Sequence, residues 1–263
     1  LLRMARLPNV INMDGIEWQR AKWGAGPKAW FYLNEWAGAW LGNHLVADHP
    51  EIKVHLSRRT SPERITVIPY GAEDIRSADT ARVTALGLEP GRYLSVIARA
   101  EPENSLLEIV EGFSRKPRGM KLAVLGKYED GNAYHQAVKA AAGNEVMFLG
   151  AIYDKKVVQA LRFHSAAYVH GHQVGGTNPS LVEALGAGNA VIAHDNRFNR
   201  WVAGPGAAFF DGAAGFATQL DAILADPTRL DSMRKASRER FLAEFQWEKI
   251  LSEYETLLLK YQK

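Results

Sequence analysis

The sequence predicts an α/β fold: a doubly wound, Rossmann-like parallel sheet joined to a partial N-terminal α/β domain. The main observation is that, from residue 93 onward, short apolar or β-branched runs alternate with helix-like stretches of about ten residues. The first 73 residues differ, because they hold five of the seven tryptophans and too few elements for a complete second domain. With 47% hydrophobic and 23% charged residues, the 263-residue chain has the composition of an ordinary globular protein.

The regular part of the chain predicts five strands and four helices. Tyr93–Ala98 has the pattern of a buried strand, and apolar residues recur at helical spacing in Ser105–Lys116. The remaining strands are expected at Lys121–Leu125, Glu145–Leu149, Ala166–His170 and Ala190–Ala193, and the remaining helices at Asn132–Ala142, Asp154–His164 and Pro179–Ala187. Right-handed crossovers between such strands produce a doubly wound sheet.

The two ends of the chain do not continue this alternation. The N-terminal part is expected to form strands at Val10–Met13, Asn43–Ala47 and Arg64–Tyr70 and helices at Lys28–Leu41 and Pro50–Leu56. Helices are expected at Ala213–Leu224, Arg229–Phe245 and Trp247–Tyr261, the last crossing back onto the N-terminal domain. The polar stretch Gly71–Thr80 suits a linker. The predicted domains are therefore residues 1–73, a remnant of an N-terminal domain, residues 74–245, a Rossmann-like domain, and residues 246–263, a crossover helix.

Composition and charge exclude several classes of protein. Without cysteine there is no disulfide framework, no thiolate nucleophile and no zinc site of the cysteine type. No run approaches the roughly 20 apolar residues that span a bilayer. The net charge of +3 fits a phosphate-bearing ligand or an anionic membrane surface and is too small to indicate nucleic acid. Because the chain begins at Leu1 and shows no signal-peptide pattern, we expect it to be a fragment of a longer protein.

The turn from Arg99 to Ser105 follows a predicted strand and precedes a helix. Ligands of open parallel sheets bind outside such strand ends, where the N–H groups of helix N-termini attract phosphate. Arg99 can place its guanidinium on a diphosphate, and Asn104 or Ser105 can cap the helix. The alternative is a surface arginine that pairs with Glu101 or Glu103.

The turn from His170 to Glu183 has the same position after a later strand. Asn178 and Pro179 are suited to the cap and first position of the helix, and Gly175 and Gly176 allow close approach of a ligand. Glu183 lies in an otherwise apolar run, where its carboxylate can accept hydrogen bonds from ribose hydroxyls. The alternative is a glycine-rich turn with a glutamate that favours the helix dipole.

His170 and His172 could share one face of a strand and suggest a metal, but no third ligand is evident in the sequence nearby. Capping or orienting roles are the alternative, and no metal or other cofactor is expected. We group His172 with Arg99 and Glu183 as the candidate catalytic residues. No Walker loop and no Gly-x-Ser-x-Gly elbow is present.

These stretches resemble the retaining glycosyltransferases of family four, which have the GT-B fold of two facing Rossmann-like domains. The resemblance covers nearly the whole chain, as the end of an N-terminal acceptor domain followed by a nucleotide-sugar-binding domain. It rests on the segments VIPYG at 67–71, RAEPEN at 99–104, VLG at 124–126, FLG at 148–150 and SLVEALGAG at 180–188. Two further segments, NMDGIEWQRAKW at 12–23 and HGHQVGGTNPS at 170–180, resemble a bacterial rhamnosyltransferase branch that builds surface polysaccharide from dTDP-L-rhamnose.

The resemblance implies a role for each matching position. Arg99 would hold the donor diphosphate and Glu183 the nucleotide ribose. The backbone from Gly176 to Ser180, which includes Thr177 and Asn178, would line the diphosphate and sugar, with Gly175 beside it. The base would be bordered by Gly126, Lys127 and the turn that ends at Tyr153. The broad family has a lysine at the place of Asn104 and a glutamate at the place of Gly175. These departures favour an altered donor over an inactive copy.

The implied reaction is the attack of an acceptor hydroxyl on the anomeric carbon of a nucleotide sugar, with retention and without a bound metal. Asp14, Glu17 and Lys22 lie near the expected cleft as acceptor residues or, alternatively, as structural ion pairs. The expected partners are the nucleotide sugar and a saccharide or lipid-linked saccharide acceptor, in the cytoplasm or at the inner membrane face. Two other functions remain open, a nucleotide-sugar epimerase of GT-B shape and a non-catalytic binding module. We expect this chain alone to bind nucleotide but to transfer sugar poorly.

Overall fold

The computed structural model describes residues 7–20 and 22–262, whose strands form two parallel sheets. The first sheet contains, in spatial order, β1 (Val10–Met13), β2 (His44–Ala47) and β3 (Ile65–Val67). The second contains β4 (Tyr93–Ile97), β5 (Lys121–Leu125), β6 (Val146–Gly150), β7 (Ala167–His170), β8 (Ala190–His194) and β9 (Ala208–Phe210), in the spatial order β6-β5-β4-β7-β8-β9. The predicted doubly wound parallel sheet is confirmed.

The helices cover the faces of both sheets. They are α1 (Ala25–Leu41), α2 (Pro50–Leu56), α3 (Ala81–Thr84), α4 (Leu106–Ser114), α5 (Ala133–Ala140), α6 (Lys155–Phe163), α7 (Pro179–Gly186), α8 (Arg197–Ala203), α9 (Gly212–Leu224), α10 (Pro227–Glu244) and α11 (Trp247–Leu259). One apolar core joins α4 and α9 to the second sheet, and another joins α7 and α10 to it. Helices on both faces of the second sheet bury strands β4, β5, β7 and β8 on both sides, which explains their continuous apolar runs.

Several elements differ from the sequence prediction. The strand expected at Arg64–Tyr70 is only Ile65–Val67, because a short 3₁₀ turn at Pro62–Arg64 precedes it. Helix α8 and strand β9 had no counterpart in the prediction. The linker predicted at Gly71–Thr80 is held at fixed points, since the amide of Ile75 donates to the carbonyl of Gly186 over 3.0 Å.

The strand order of the second sheet reverses between β4 and β7. Strands β5 and β6 extend the sheet on one side of β4, and β7, β8 and β9 extend it on the other. The loops that follow β4 and β7 therefore lie side by side, in the crevice where such sheets bind ligands. They are in direct contact: the amide of Gln173 donates to the carbonyl of Glu103 over 2.9 Å, and a Cβ on Gly171 would overlap the carbonyl oxygen of Asn104.

The two sheets are joined at two places. Where the chain crosses between them, the amide of Ala72 donates to the carbonyl of Phe245 over 3.0 Å, and α11 then packs Ile250 and Leu257 onto the first sheet. The second place is Asp48, which directly follows β2. Its buried carboxylate accepts a hydrogen bond from the amide of Thr177 over 2.8 Å, so that the first sheet is fixed to the loop after β7.

Burial raises the pKa of Asp48 to about 7, against the opposing hydrogen bond from Thr177 and with a smaller contribution from the charge of Asp14. The folded protein therefore holds a proton at a pH where the unfolded chain has lost it, and the free energy of unfolding falls as the pH rises between about 4 and 7. Asp48→Asn cannot ionise but keeps an oxygen for the Thr177 amide. We expect Asp48→Asn to gain stability relative to the unaltered chain from pH 5 to pH 8, by about 2 to 3 kcal/mol.

Urea unfolding of both proteins at the two pH values measures this difference. Asp130→Asn is the matched control, because the Asp130 side chain is 95% exposed and pairs with Lys139 at the surface. The role given to Asp48 would be contradicted if Asp48→Asn and Asp130→Asn shifted the pH dependence equally.

The contact between the two loops predicts that a larger residue at position 171 destabilises the protein. Gly171→Ala is expected to lower the free energy of unfolding by about 1 to 3 kcal/mol, because the added Cβ overlaps the backbone of Asn104. Gly131→Ala is the control, since a Cβ there meets nothing within 4 Å, and its effect is expected to stay within about 0.5 kcal/mol. Equal stability of the two variants in urea unfolding would show that the loops are not in the close contact described.

Candidate functional site

A cleft of about 520 Å³ opens at the carboxyl edge of the second sheet, beside the point where the strand order reverses. A smaller chamber of about 370 Å³ continues from it towards Trp247. The predicted site residues that line the cleft are Arg99, Gly126, Lys127, Tyr153, Asn178, Ser180 and Glu183. A separate groove of about 820 Å³ runs along α11 and holds none of the predicted site residues.

Arg99 follows β4 and is exposed at the wall of this cleft. Its guanidinium makes no hydrogen bond or ion pair with another residue in 7–20 or 22–262. The alternative pairing with Glu103 is not observed, because the Glu103 carboxylate receives Arg20 instead, over 3.2 Å. The main chain of Arg99 is fixed by the Asn104 side-chain amide, which donates to its carbonyl over 2.8 Å. Arg99 is thus a cation on an anchored backbone, with its hydrogen-bond donors free for an anion.

The N-terminus of α7 faces the same cleft. The Asn178 side chain accepts a hydrogen bond from the amide of Ser180 over 3.0 Å, and Pro179 occupies the first helical position, as predicted. Within the described part of the chain, the amides of Gly175, Gly176 and Asn178 donate to no protein acceptor. These N–H groups, added to the helix dipole, form a suitable environment for a phosphate group.

Glu183 lies one turn into α7 and lines both the cleft and the smaller chamber. Its carboxylate is 46% exposed, and Oε2 accepts a bond from Nη2 of Arg162 over 2.6 Å. The Arg162 side chain is only 4% exposed and also bonds the Ser180 hydroxyl over 3.0 Å. Glu183 is therefore a fixed carboxylate at the edge of the ligand space.

His172 lies behind Arg99 and not among the residues that line the cleft. Its ring stacks on that of His170, with 4.5 Å between centroids, and its Nδ1 is buried without a partner. Burial lowers the pKa of His172 to about 4, and the nearby charges of Arg99 and Arg20 act in the same direction. Burial likewise lowers the pKa of His170, so both rings are neutral near pH 7. The contacts by which His172 orients its neighbours are made by its backbone carbonyl, which accepts hydrogen bonds from the side-chain amides of Asn196 and Asn199.

Three residues that the sequence analysis expected to contact the ligand, Asn104, Gly176 and Thr177, contact other parts of the protein instead. Asn104 is buried and does not cap α4; neither does Ser105, which adopts the left-handed region with φ of 50° and makes no side-chain cap. Thr177 is buried, with its amide and hydroxyl both bonded to Asp48. Position 176 must be a glycine, because a Cβ there would overlap the Asp48 carboxylate. These residues shape the loops and do not face the ligand space through their side chains.

Of the other predicted residues, some are open to a ligand and others are in close contact with the protein. Gly175 has φ of 133° and open space around it, and Tyr153 is 90% exposed. Gly126 has no room for a side chain against the Ala98 carbonyl, 2.6 Å from the position of a Cβ. Lys127 pairs with Glu129 over 2.8 Å, and this hydrogen bond raises the pKa of the lysine.

Asp14, Glu17 and Lys22 lie beyond β1. Glu17 and Lys22 form an ion pair at 3.1 Å, and Glu17 also receives Arg20 over 2.8 Å. Although burial raises the pKa of Glu17, hydrogen bonds from Trp23 and Lys22 and the charge of Arg20 lower it overall. Because Arg20 continues to Glu103, these ion pairs connect the N-terminal segment to the loop after β4. Asp14 hydrogen-bonds Tyr70 and stands near Asp48, and burial together with the two carboxylates raises the pKa of Tyr70.

Two residues at the site were missed by the sequence analysis. Arg162 carried a signal, since it is a charged residue beside Val158 and Leu161 on the apolar face of its helix, and a buried charge needs a partner. For Asp48 the only signal in the sequence was its position at the carboxyl end of a strand.

Within residues 7–20 and 22–262, no three histidine or acidic side chains are grouped as for a metal ion. The helices of that same part include none long and apolar enough to cross a bilayer.

Comparison with solved structures shows the same architecture in several proteins. Sucrose-phosphate synthase from Thermosynechococcus elongatus is 18% identical, with a TM-score of 0.81 over 95% of this chain and 67% of that one. Anabaena HepE in complex with UDP-glucose is 14% identical, with a TM-score of 0.82 over 98% of this chain and 74% of that one. S. aureus TarM is 13% identical, with a TM-score of 0.73 over 97% of this chain and 50% of that one.

Sequence comparison gives the family. No curated protein matches the chain closely enough to be counted as a relative. Residues 85–240, more than half of the chain, match the family model described as glycosyl transferases group 1. The match contains the loops after β4 and β7 and therefore both Arg99 and Glu183. This chain belongs to the group 1 glycosyl transferase family and is a glycosyltransferase with the GT-B type of fold.

Proposed function

We propose that the cleft binds a nucleoside diphosphate sugar, with Arg99 on the diphosphate and Glu183 on the ribose. The observation that carries the proposal is their common cleft, where a guanidinium with no partner among the described residues and a fixed carboxylate lie beside the N-terminus of α7. HepE in complex with UDP and with UDP-glucose supports a ligand of this class. Tyr153 and Gly126 would border the base at the far side of the cleft.

The reaction proposed is transfer of the sugar to an acceptor hydroxyl, with retention of the anomeric configuration. As the bond to the diphosphate breaks, negative charge grows on the leaving phosphate, and groups that bind it more tightly then than before lower the barrier. Arg99 and the amide of Asn178, both in the wall of the cleft, would do this. His172, which is neutral near pH 7, would orient the loop and not supply a charge.

The donor proposed is dTDP-L-rhamnose, and the acceptor is a saccharide of a bacterial surface polysaccharide. The support is the likeness of segments 12–23 and 170–180 to a rhamnosyltransferase branch. A structure of a TarM mutant that contains UDP and saccharides supports a saccharide acceptor for this fold. Contact of the acceptor's lipid with the tryptophan-rich helix α1 would place the reaction at a membrane surface, as a peripheral association.

Arg99→Ala and Glu183→Ala are each expected to weaken nucleoside diphosphate binding by about 10- to 100-fold, the range for losing one charged hydrogen-bonding group. Calorimetric titration with dTDP, UDP and GDP gives the dissociation constants. Arg115→Ala is the control, since Arg115 is an exposed arginine at the opposite end of α4 and outside the cleft. Full affinity in both cleft variants would contradict the site.

Donor choice is tested by thermal unfolding with each nucleotide sugar. We expect dTDP-L-rhamnose to raise the midpoint more than UDP-glucose at equal concentration, because a tighter ligand stabilises the folded state more. Product formed from donor alone would favour an epimerase, and binding of the nucleotide sugar without transfer to an acceptor would favour a binding module. NMR of the anomeric proton in the product tests retention.

A further inference from the structure

The contact between Arg162 and Glu183 has a function beyond stability. Arg162 lies at the end of α6, and its side chain is 4% exposed, so its charge is removed from water. A buried guanidinium needs a counter-charge. Glu183 is the carboxylate that supplies it within the described chain, with 2.6 Å between Nη2 and Oε2.

The surroundings of Arg162 hold it in one position. Its Nη2 also bonds the Ser180 hydroxyl over 3.0 Å, and that hydroxyl is 2.7 Å from the hydroxyl of the buried Tyr168. The guanidinium lies 6.0 Å from the centre of the Tyr168 ring. A group packed in this way has little freedom, and it restricts the carboxylate bonded to it.

The consequence is that the two oxygens of Glu183 are not equivalent. Oε2 is committed to Arg162, whereas Oε1 accepts no hydrogen bond from any residue in 7–20 or 22–262. The side chain is half-exposed and borders the cleft, so Oε1 is the oxygen available to a ligand.

We infer that Arg162 is a positioning residue that fixes Glu183 so that a single carboxylate oxygen receives a single hydroxyl of the bound nucleoside. The inference rests on the proposed function, because it assumes a nucleoside diphosphate in the cleft. It assigns selectivity for the pentose to a nearly buried residue in the wall of the cleft, whose side chain is 4% exposed. The hydroxyl is the 3′-hydroxyl, because the proposed donor dTDP-L-rhamnose has no 2′-hydroxyl. Removal of the 3′-hydroxyl should then weaken binding, and removal of the 2′-hydroxyl should not.

The chain offers a matched control for this arrangement. Arg118 is 2% exposed and bonds the 39% exposed carboxylate of Asp221, on the α9 side of the sheet and outside the cleft. Arg162→Met and Arg118→Met both remove a buried guanidinium that is paired with a partly exposed carboxylate, although Asp221 keeps Lys116 as a partner over 2.8 Å. Both variants should lose stability, but only the first should affect nucleotide binding.

The experiment is calorimetric titration of UDP, 2′-deoxy-UDP and 3′-deoxy-UDP into the unaltered protein, Arg162→Met, Arg118→Met, Glu183→Gln and the double variant Arg162→Met/Glu183→Gln. We expect Arg162→Met to weaken UDP binding about tenfold, and the double variant to be no weaker than Glu183→Gln alone, because the arginine acts through the carboxylate. 3′-Deoxy-UDP should bind the unaltered protein about tenfold more weakly than UDP, and this difference should shrink in Arg162→Met, whereas 2′-deoxy-UDP should bind like UDP.

The outcomes separate the two claims. If the unaltered protein binds UDP and Arg162→Met binds it equally well, the inference is overturned and the proposed function stands. It is also overturned if the losses in Arg162→Met and Glu183→Gln multiply in the double variant, or if both deoxy analogues bind like UDP or are weakened equally. If Arg162→Met fails to fold, Arg162→Lys, which keeps the charge but not the planar fork, takes its place. Absence of binding by the unaltered protein to any of the three nucleotides, and to dTDP, overturns the proposed function and this inference together.

Discussion

The close contact between the loop after β4 and the loop after β7 is the constraint on which the candidate site depends. Gly171 approaches the carbonyl of Asn104 too closely for any side chain, and Gln173 bonds Glu103 and Ser105 across the same contact. Because each loop is anchored to a neighbouring strand at one end and to the other loop in the middle, neither can move alone. Arg99 and Glu183 consequently border one cleft at a fixed separation.

The glycine-rich sequence before α7 is explained in large part by the protein itself. Gly176 leaves room for the Asp48 carboxylate, and Thr177 gives both its amide and its hydroxyl to Asp48. The loop is thus fixed from the side of the first sheet, across the space between the two sheets. What remains for a ligand is a short row of amides and the open surface at Gly175, so the loop presents backbone donors in place of a charged side chain.

Asn104 and Gly175, the two departures from the broader family pattern, have different structural meanings. Asn104 is buried and holds the carbonyl of Arg99, so it supports the neighbouring cation and adds no charge of its own. Gly175 has a positive φ, and a Cβ there would meet no atom of the described residues within 4 Å. Since Lys127 is paired with Glu129, Arg99 is the cation of the cleft that carries no protein partner among the described residues. A donor sugar in this site would be held mainly by backbone groups, which fits the proposal of a deoxysugar with fewer hydroxyls.

The amino-acid sequence by itself determined the alternation of strands and helices, the cap formed by Asn178 and Pro179, and the loops that carry Arg99 and Glu183. These features depend on local periodicity and on backbone preferences within a few residues. The tertiary structure alone decided that Arg162 would hold Glu183, that Asp48 would hold Thr177, and that Asn104 would turn away from the ligand. Asp48 and Thr177 are 129 positions apart, and a contact at that distance is set by sheet order and packing, which no local pattern contains. The same holds for β9, which is stabilised by pairing with β8 at the sheet edge.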